Sequence, residues 1–246
     1  VKDGAKWKWN KIVHFLFTDT ATTEIYTLSR HDALPIQPLA SRPAGGGRLL
    51  FAMDATASRE PLWDRACHIQ GRMFEETDAL GGLDIQLVHY RGFMEFSSTP
   101  WMSNTEALLK HMTAIRCAAG QTQIARVLSH ATKQDQPVNA LVFVGDAMEE
   151  DPDVLCKLAG ELGILRIPVF IFQDGDNPIA ERTFRQVARL SSGAWCRFDT
   201  NSAAQLRDLL CAVAVYAAGG QKALEKFGRE RGGTVLKLSH QISKKN

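Results

Sequence analysis

The sequence predicts an α/β protein: a doubly wound open sheet of about six strands, mostly parallel with one antiparallel edge strand, and helices on both faces. Three observations predict it. Apolar runs without polar alternation, such as residues 49–53, suit strands covered on both sides. Segments of helical period separate these runs one by one. Two strand-like runs, 85–90 and 93–96, are joined only by Arg91-Gly92, which permits a hairpin and nothing parallel.

In chain order, the apolar run Leu49-Leu50-Phe51-Ala52-Met53 is the first strand, and it ends on Asp54. Apolar residues at Leu62, Ala66, Ile69, Met73 and Leu80 then predict a helix over 61–80, stopped by Gly81-Gly82. The hairpin follows. Leu108, Met112 and Ile115 predict a helix over 104–117, with Ser103 or Asn104 as its cap. Ile124, Val127, Leu128 and Ala131 predict another beginning at Thr122, where Thr122 serves simply as a cap if taken alone. Residues 140–146 read as a second buried strand ending in Gly145-Asp146. Asp151-Pro152 opens a helix through Leu162, 167–172 is a strand, 179–190 a helix, 194–198 a short last strand, and 202–218 a final helix.

The chain of 246 residues is 45% hydrophobic, enough for one sizeable α/β domain, here assigned to residues 48–219. A formal charge of +2 argues against a global field for nucleic acid or an anionic membrane, and neither is expected as a partner. Cys67, Cys117, Cys156, Cys196 and Cys211 are odd in number and form no CxxC pair, which points to a reducing cytoplasm. The apolar run 12–17 contains His14 and is too short for a membrane span. Residues 220–246 carry a basic excess, expected as a solvated helix continuation with a frayed end. Residues 18–36 resemble the translated forward adapter of short-read DNA sequencing, departing only at Thr18 and Arg30. Residues 1–36 are therefore expected to be an assembly artefact or, if a genuine extension, a disordered leader, and the Pro-, Ala- and Gly-rich residues 37–47 a linker.

Chemistry concentrates where the buried strands end. Asp54, followed at alternate positions by Thr56 and Ser58, offers three hard oxygen donors on one turn of loop, a set that suits Mg²⁺ or Mn²⁺ better than zinc. Ser58 serves equally well as a helix cap with Pro61 in the first turn. Taken with Thr122 in Gly120-Gln121-Thr122 and Asp146 in Val144-Gly145-Asp146, the constellation resembles the von Willebrand factor A (VWA) domain family and its metal-ion-dependent adhesion site. The family pattern D-x-S-x-S is met by Asp54, Thr56 and Ser58, with Thr56 a departure that keeps the hydroxyl. The resemblance covers residues 48–218 and implies a VWA/Rossmann-like fold, a Mg²⁺ or Mn²⁺ ion held by Asp54, Thr56, Ser58, Thr122 and Asp146, and a protein partner that offers an acidic side chain to the ion's open position. It further implies a non-enzymatic interaction module, with an ATPase or chaperone-like machine as partner.

Arg91, Glu149 and Glu150 are expected at the partner-binding rim; taken singly, Arg91 is an exposed hairpin charge and the acids belong to a helix first turn. Two alternatives stand beside this. A haloacid dehalogenase-type phosphohydrolase also begins with an aspartate at the first strand end, and Gly145-Asp146 with Asp151 imitates its magnesium motif. Such an enzyme needs a general acid two residues after the nucleophile, where this chain has Thr56. The other alternative is a VWA-like scaffold without metal.

Overall fold

The computed structural model describes residues 46–198 and 203–243. The expected artefact at 1–36 and all but the end of the linker lie outside the described residues, as do the start of the last predicted helix and residues 244–246. Strands β1 (Gly47–Asp54), β2 (Leu83–Arg91), β3 (Glu95–Ser98), β4 (Ala140–Gly145), β5 (Val169–Asp174) and β6 (Ala194–Phe198) form one sheet of order β3-β2-β1-β4-β5-β6. All neighbours are parallel except β2 and β3, so the expected antiparallel edge strand is present.

The helices are α1 (Glu60–Ile69), α2 (Gly71–Glu75), α3 (Thr105–Ala114), α4 (Ile124–Thr132), α5 (Pro152–Ile164), α6 (Pro178–Leu190), α7 (Ala203–Arg231) and α8 (Gly233–Ser243). The pleat of β1 sorts its side chains between two cores. Leu49, Phe51 and Met53 join one with residues of α1, α2, α3, α7 and α8, while Leu50 and Ala52 join the other with α4, α5 and α6. A strand buried on both faces has no place for polar alternation, which is why residues 49–53 read as a continuous apolar run.

Helix α3 ends at Ala114, short of the expected 117, where Ile115 turns extended (φ −81°, ψ 132°), and four further elements differ from the sequence expectation for a local reason. The helix expected over 61–80 is broken into α1, α2 and a 3-10 turn at Asp78–Leu80. At the first break the Gln70 amide donates to the Cys67 carbonyl (3.2 Å), the acceptor that the Gly71 N–H would use in an unbroken helix. At the second, the Thr77 hydroxyl donates to the carbonyls of Met73 (2.9 Å) and Phe74 (3.1 Å). The stop at Gly81-Gly82 is as expected, both residues having positive φ (100° and 86°).

In the hairpin, Phe93 and Met94 lie in the turn rather than in β3, exposed at 83% and 62%, and pairing resumes with Arg91 opposite Glu95. Helix α4 begins at Ile124, two residues after Thr122. Lastly, the basic segment continues as helix, as expected, but within the described residues it is packed on the domain rather than solvated. Helix α7 continues to Arg231 through a kink at Gly220, whose φ of 74° and ψ of −168° exclude other residues. Leu224, Phe227, Val235, Leu238 and Ile242 then return to the first core. The Gln241 side chain of α8 pairs with the backbone of Trp195, accepting from its N–H (3.1 Å) and donating to its carbonyl (3.0 Å). That amide covers part of the free edge of β6.

Candidate metal centre

In this strand order the chain turns one way from β1 to β2 and the other way from β4 to β6. The switch point lies between β1 and β4, and ligand sites of open α/β sheets sit there, outside the carboxyl ends of the strands. Asp54 is the last residue of β1, and Asp146 follows the last residue of β4, its neighbour in the sheet. The two acids found by sequence therefore flank the switch point.

Asp54 is 1% exposed. Its Oδ1 accepts the Thr56 N–H at 2.7 Å, a local turn that carries the chain away from the strand and brings the Thr56 hydroxyl within 3.4 Å of the Ser58 hydroxyl. Ser58 itself stands in the 3-10 turn Ala57–Arg59 that precedes α1. This loop is tied to its neighbours by backbone. The Ala55 N–H donates to the carbonyl of Tyr90 (3.0 Å) at the end of β2, and the Ala55 carbonyl accepts from Ala118 (3.1 Å) in the segment leading to Thr122. Ala118 in turn accepts from Gly92 (3.3 Å), and a side chain at Gly120 would strike the Gly92 carbonyl, so this segment lies close against the hairpin turn.

Thr122 is not the cap of α4; Gln123 occupies that position, without a side-chain capping bond. The Thr122 hydroxyl instead joins the loop that follows β4. It donates to Glu150 Oε2 (2.7 Å) and accepts from the Glu149 N–H (3.0 Å), while the Thr122 N–H donates to Glu149 Oε2 (3.3 Å). Glu150 Oε1 also accepts from Ala125 in the first turn of α4 (2.9 Å), supplying the acceptor that Gln123 does not. Glu149 and Glu150 thus precede α5 and engage Thr122, whereas Asp151 caps α5 by accepting from Asp153 (2.9 Å). Arg91 is committed within the hairpin region, donating to Glu95 Oε2 (2.8 Å) and to the Arg116 carbonyl (2.7 Å).

One residue absent from the sequence constellation stands among these groups. Tyr90 lies opposite Asp54 in the β1–β2 register, on the core face shared with Leu50 and Ala52, and is fully buried. Its hydroxyl makes no well-formed hydrogen bond, yet it stands close enough to Asp54 to be coupled to it. Burial first, then the charges of Asp54, Glu150 and Asp146, push its phenol well above the ordinary value. Three carboxylates from two different loops are thus felt at one buried oxygen. The sequence signal for Tyr90 was only its place as the last apolar residue of the second strand, which any core aromatic would share.

Among the described residues, no three His, Cys, Asp or Glu side chains gather closely enough to hold a metal by themselves. The candidate donors, Asp54 and Asp146 with the hydroxyls of Thr56, Ser58 and Thr122, are acid plus hydroxyl, a chemistry that suits a hard, oxygen-seeking cation that keeps part of its water.

No protein-family model matches the sequence, and no curated protein is similar to it. Solved structures are similar. An aerotolerance-related membrane protein from Bacteroides fragilis is 16% identical, the match covering 68% of this chain and 98% of that one at a TM-score of 0.51. The SpRpn10 VWA domain is 12% identical, over 67% of this chain and 94% of that one, at 0.53. Proximal thread matrix protein 1 from the mussel byssus, solved with a zinc-occupied adhesion motif, is 12% identical over 69% of this chain and 46% of its own, also at 0.53. Among the described residues of this chain no helix is long and apolar enough to cross a membrane. Identities this low speak for the fold alone, and the fold of this chain is that of the VWA domains.

Proposed function

We propose that this chain is a divalent-cation-dependent protein-interaction module. The observation that supports it is the contact among three segments beside the sheet's switch point: Ala118 donates to Ala55 just after β1, and Thr122 bonds Glu149 and Glu150 in the loop after β4. In this proposal Asp54, Thr56, Ser58, Thr122 and Asp146 hold Mg²⁺ or Mn²⁺. Neutral hydroxyls supply three of the ligands, so only Asp54 and Asp146 offset the ion's charge. The cation, when bound, supplies an electrophilic position that a partner's carboxylate fills. The protein's own contribution is to keep Asp54 buried and oriented by the Thr56 N–H and to fix Thr122 through Glu149 and Glu150.

The partner is a protein presenting an acidic side chain, and we extend this to an ATPase or chaperone-like machine by fold analogy. A cytoplasmic location belongs to the same proposal, on the strength of five scattered cysteines that form no CxxC pair. Catalysis is not part of it. Two residues after Asp54, where a phosphohydrolase of the haloacid dehalogenase type needs a carboxylic acid, stands Thr56, and its hydroxyl faces Ser58.

Calorimetric titration of Mg²⁺, Mn²⁺ and Zn²⁺ into the full chain tests the proposal; Zn²⁺ is included because the mussel protein was solved with it. Saturable binding of Mg²⁺ or Mn²⁺ that is lost in Asp54→Ala is the expected result. Absence of binding, or binding indifferent to that substitution, refutes it.

A further inference from the structure

We propose that Tyr90 is a positioning residue of the cation site: its hydroxyl, donating to Asp54, holds that carboxylate in the orientation that receives the ion. This deepens the adhesion-site proposal and rests on it.

The case is built from placement. Asp54 and Tyr90 are register partners on adjacent parallel strands and project to the same face of the sheet. The backbone joins them as well, because the Ala55 N–H donates to the Tyr90 carbonyl at 3.0 Å. Whatever fixes one end of this pair fixes the other. The Tyr90 ring is stacked on Phe143 of β4, with centroids 6.4 Å apart and planes inclined at 21°, so the phenol cannot swing out to water. At full burial its hydroxyl is a liability unless something accepts its proton, and a phenylalanine would fill the same space without that cost.

The acceptor at hand is the Asp54 carboxylate. Its Oδ1 already takes the Thr56 N–H at 2.7 Å, which anchors one side of the group. A second donor from the β2 side fixes the rotation about its Cβ–Cγ bond. A ligating carboxylate held by such outer hydrogen bonds binds its metal more tightly than one free to turn, and outer partners of metal ligands commonly matter about 10–100-fold in affinity.

Tyr90→Phe removes one oxygen and leaves the ring, so fold and packing stay as they are. Three readouts on the full chain separate the roles. Thermal unfolding without metal is expected to stay close to the wild type, since the ring and its stacking on Phe143 remain. Mn²⁺ affinity is expected to fall about 10-fold or more. Tyrosine bands in the near-ultraviolet circular dichroism of the wild type are expected to change on Mn²⁺ addition, and Tyr90→Phe to lose that change. In an Asp54→Asn background, Tyr90→Phe should alter Mn²⁺ binding no further, because it acts through Asp54. Wild-type affinity in Tyr90→Phe, within twofold, would overturn the inference and leave the cation site standing; a wild type that binds no Mn²⁺ overturns both.

Discussion

At the scale of single residues, His89 is a titratable group whose protonation opposes folding. His89 of β2 packs edge-on to Trp63 of α1 at 6.0 Å, and its Nδ1 is buried without a partner. Burial, and then the nearby Arg91 charge, pull its pKa down from 6.5 to about 4, against a smaller upward pull from Glu95. The folded protein therefore holds neutral His89 between those values, while the unfolded chain takes up a proton. Stability that is full above about pH 6.5 is lost as the pH falls toward 4. Urea midpoints measured between pH 7 and 4 should fall more steeply for the wild type than for His89→Gln, and parallel profiles would remove His89 from this account.

Thr122 shows where reading residues singly fails. Its sequence position beside a helix start suggested a cap, but the structure gives the cap position to Gln123 and turns the Thr122 hydroxyl to Glu149 and Glu150. Those partners are 27 and 28 residues away, and no local pattern encodes a contact over that separation.

At the scale of elements, legibility follows burial symmetry. Strands β1 and β4, apolar on both faces, were readable as continuous runs, and β6 was readable to the residue. Helix α6 lies within one residue of the expected 179–190, and Asn177 caps it with two accepted N–H bonds while Pro178 opens it. The helices beyond Gly220 were not read as packed. Their surface is basic, and the apolar stripe of Leu224, Phe227, Val235, Leu238 and Ile242 is interrupted at Gly232-Gly233. Charge dominated a pattern in which every third or fourth residue is buried. Leu238 is fully buried, so Leu238→Ala should cost about 2–5 kcal/mol of unfolding free energy, read from denaturant midpoints. A solvated tail would tolerate the same change within about 0.5 kcal/mol, and that smaller value would return the segment to the role its charge suggested.

At the scale of the molecule, the proposed site is a property of topology more than of any one segment. The donors proposed for it are residues 54, 56, 58, 122 and 146, and only the order β3-β2-β1-β4-β5-β6 places the first and last of them at neighbouring strand ends. A cation that links these loops must therefore bind the folded chain far better than the unfolded one, and its binding energy appears as stability. At a free Mn²⁺ concentration of 100 times the dissociation constant the gain is about 2.7 kcal/mol. For a domain of this size that corresponds to a rise of about 5–10 °C in melting temperature. Scanning calorimetry of the full chain with and without Mn²⁺ should show that rise in the wild type, almost none in Asp54→Ala, and an intermediate one in Tyr90→Phe at the same Mn²⁺ concentration. The intermediate value is the discriminating one, because Asp54→Ala removes a proposed ligand whereas Tyr90→Phe leaves every proposed ligand in place. An equal rise in all three proteins would mean that Mn²⁺ stabilises the chain somewhere other than the switch point of its sheet.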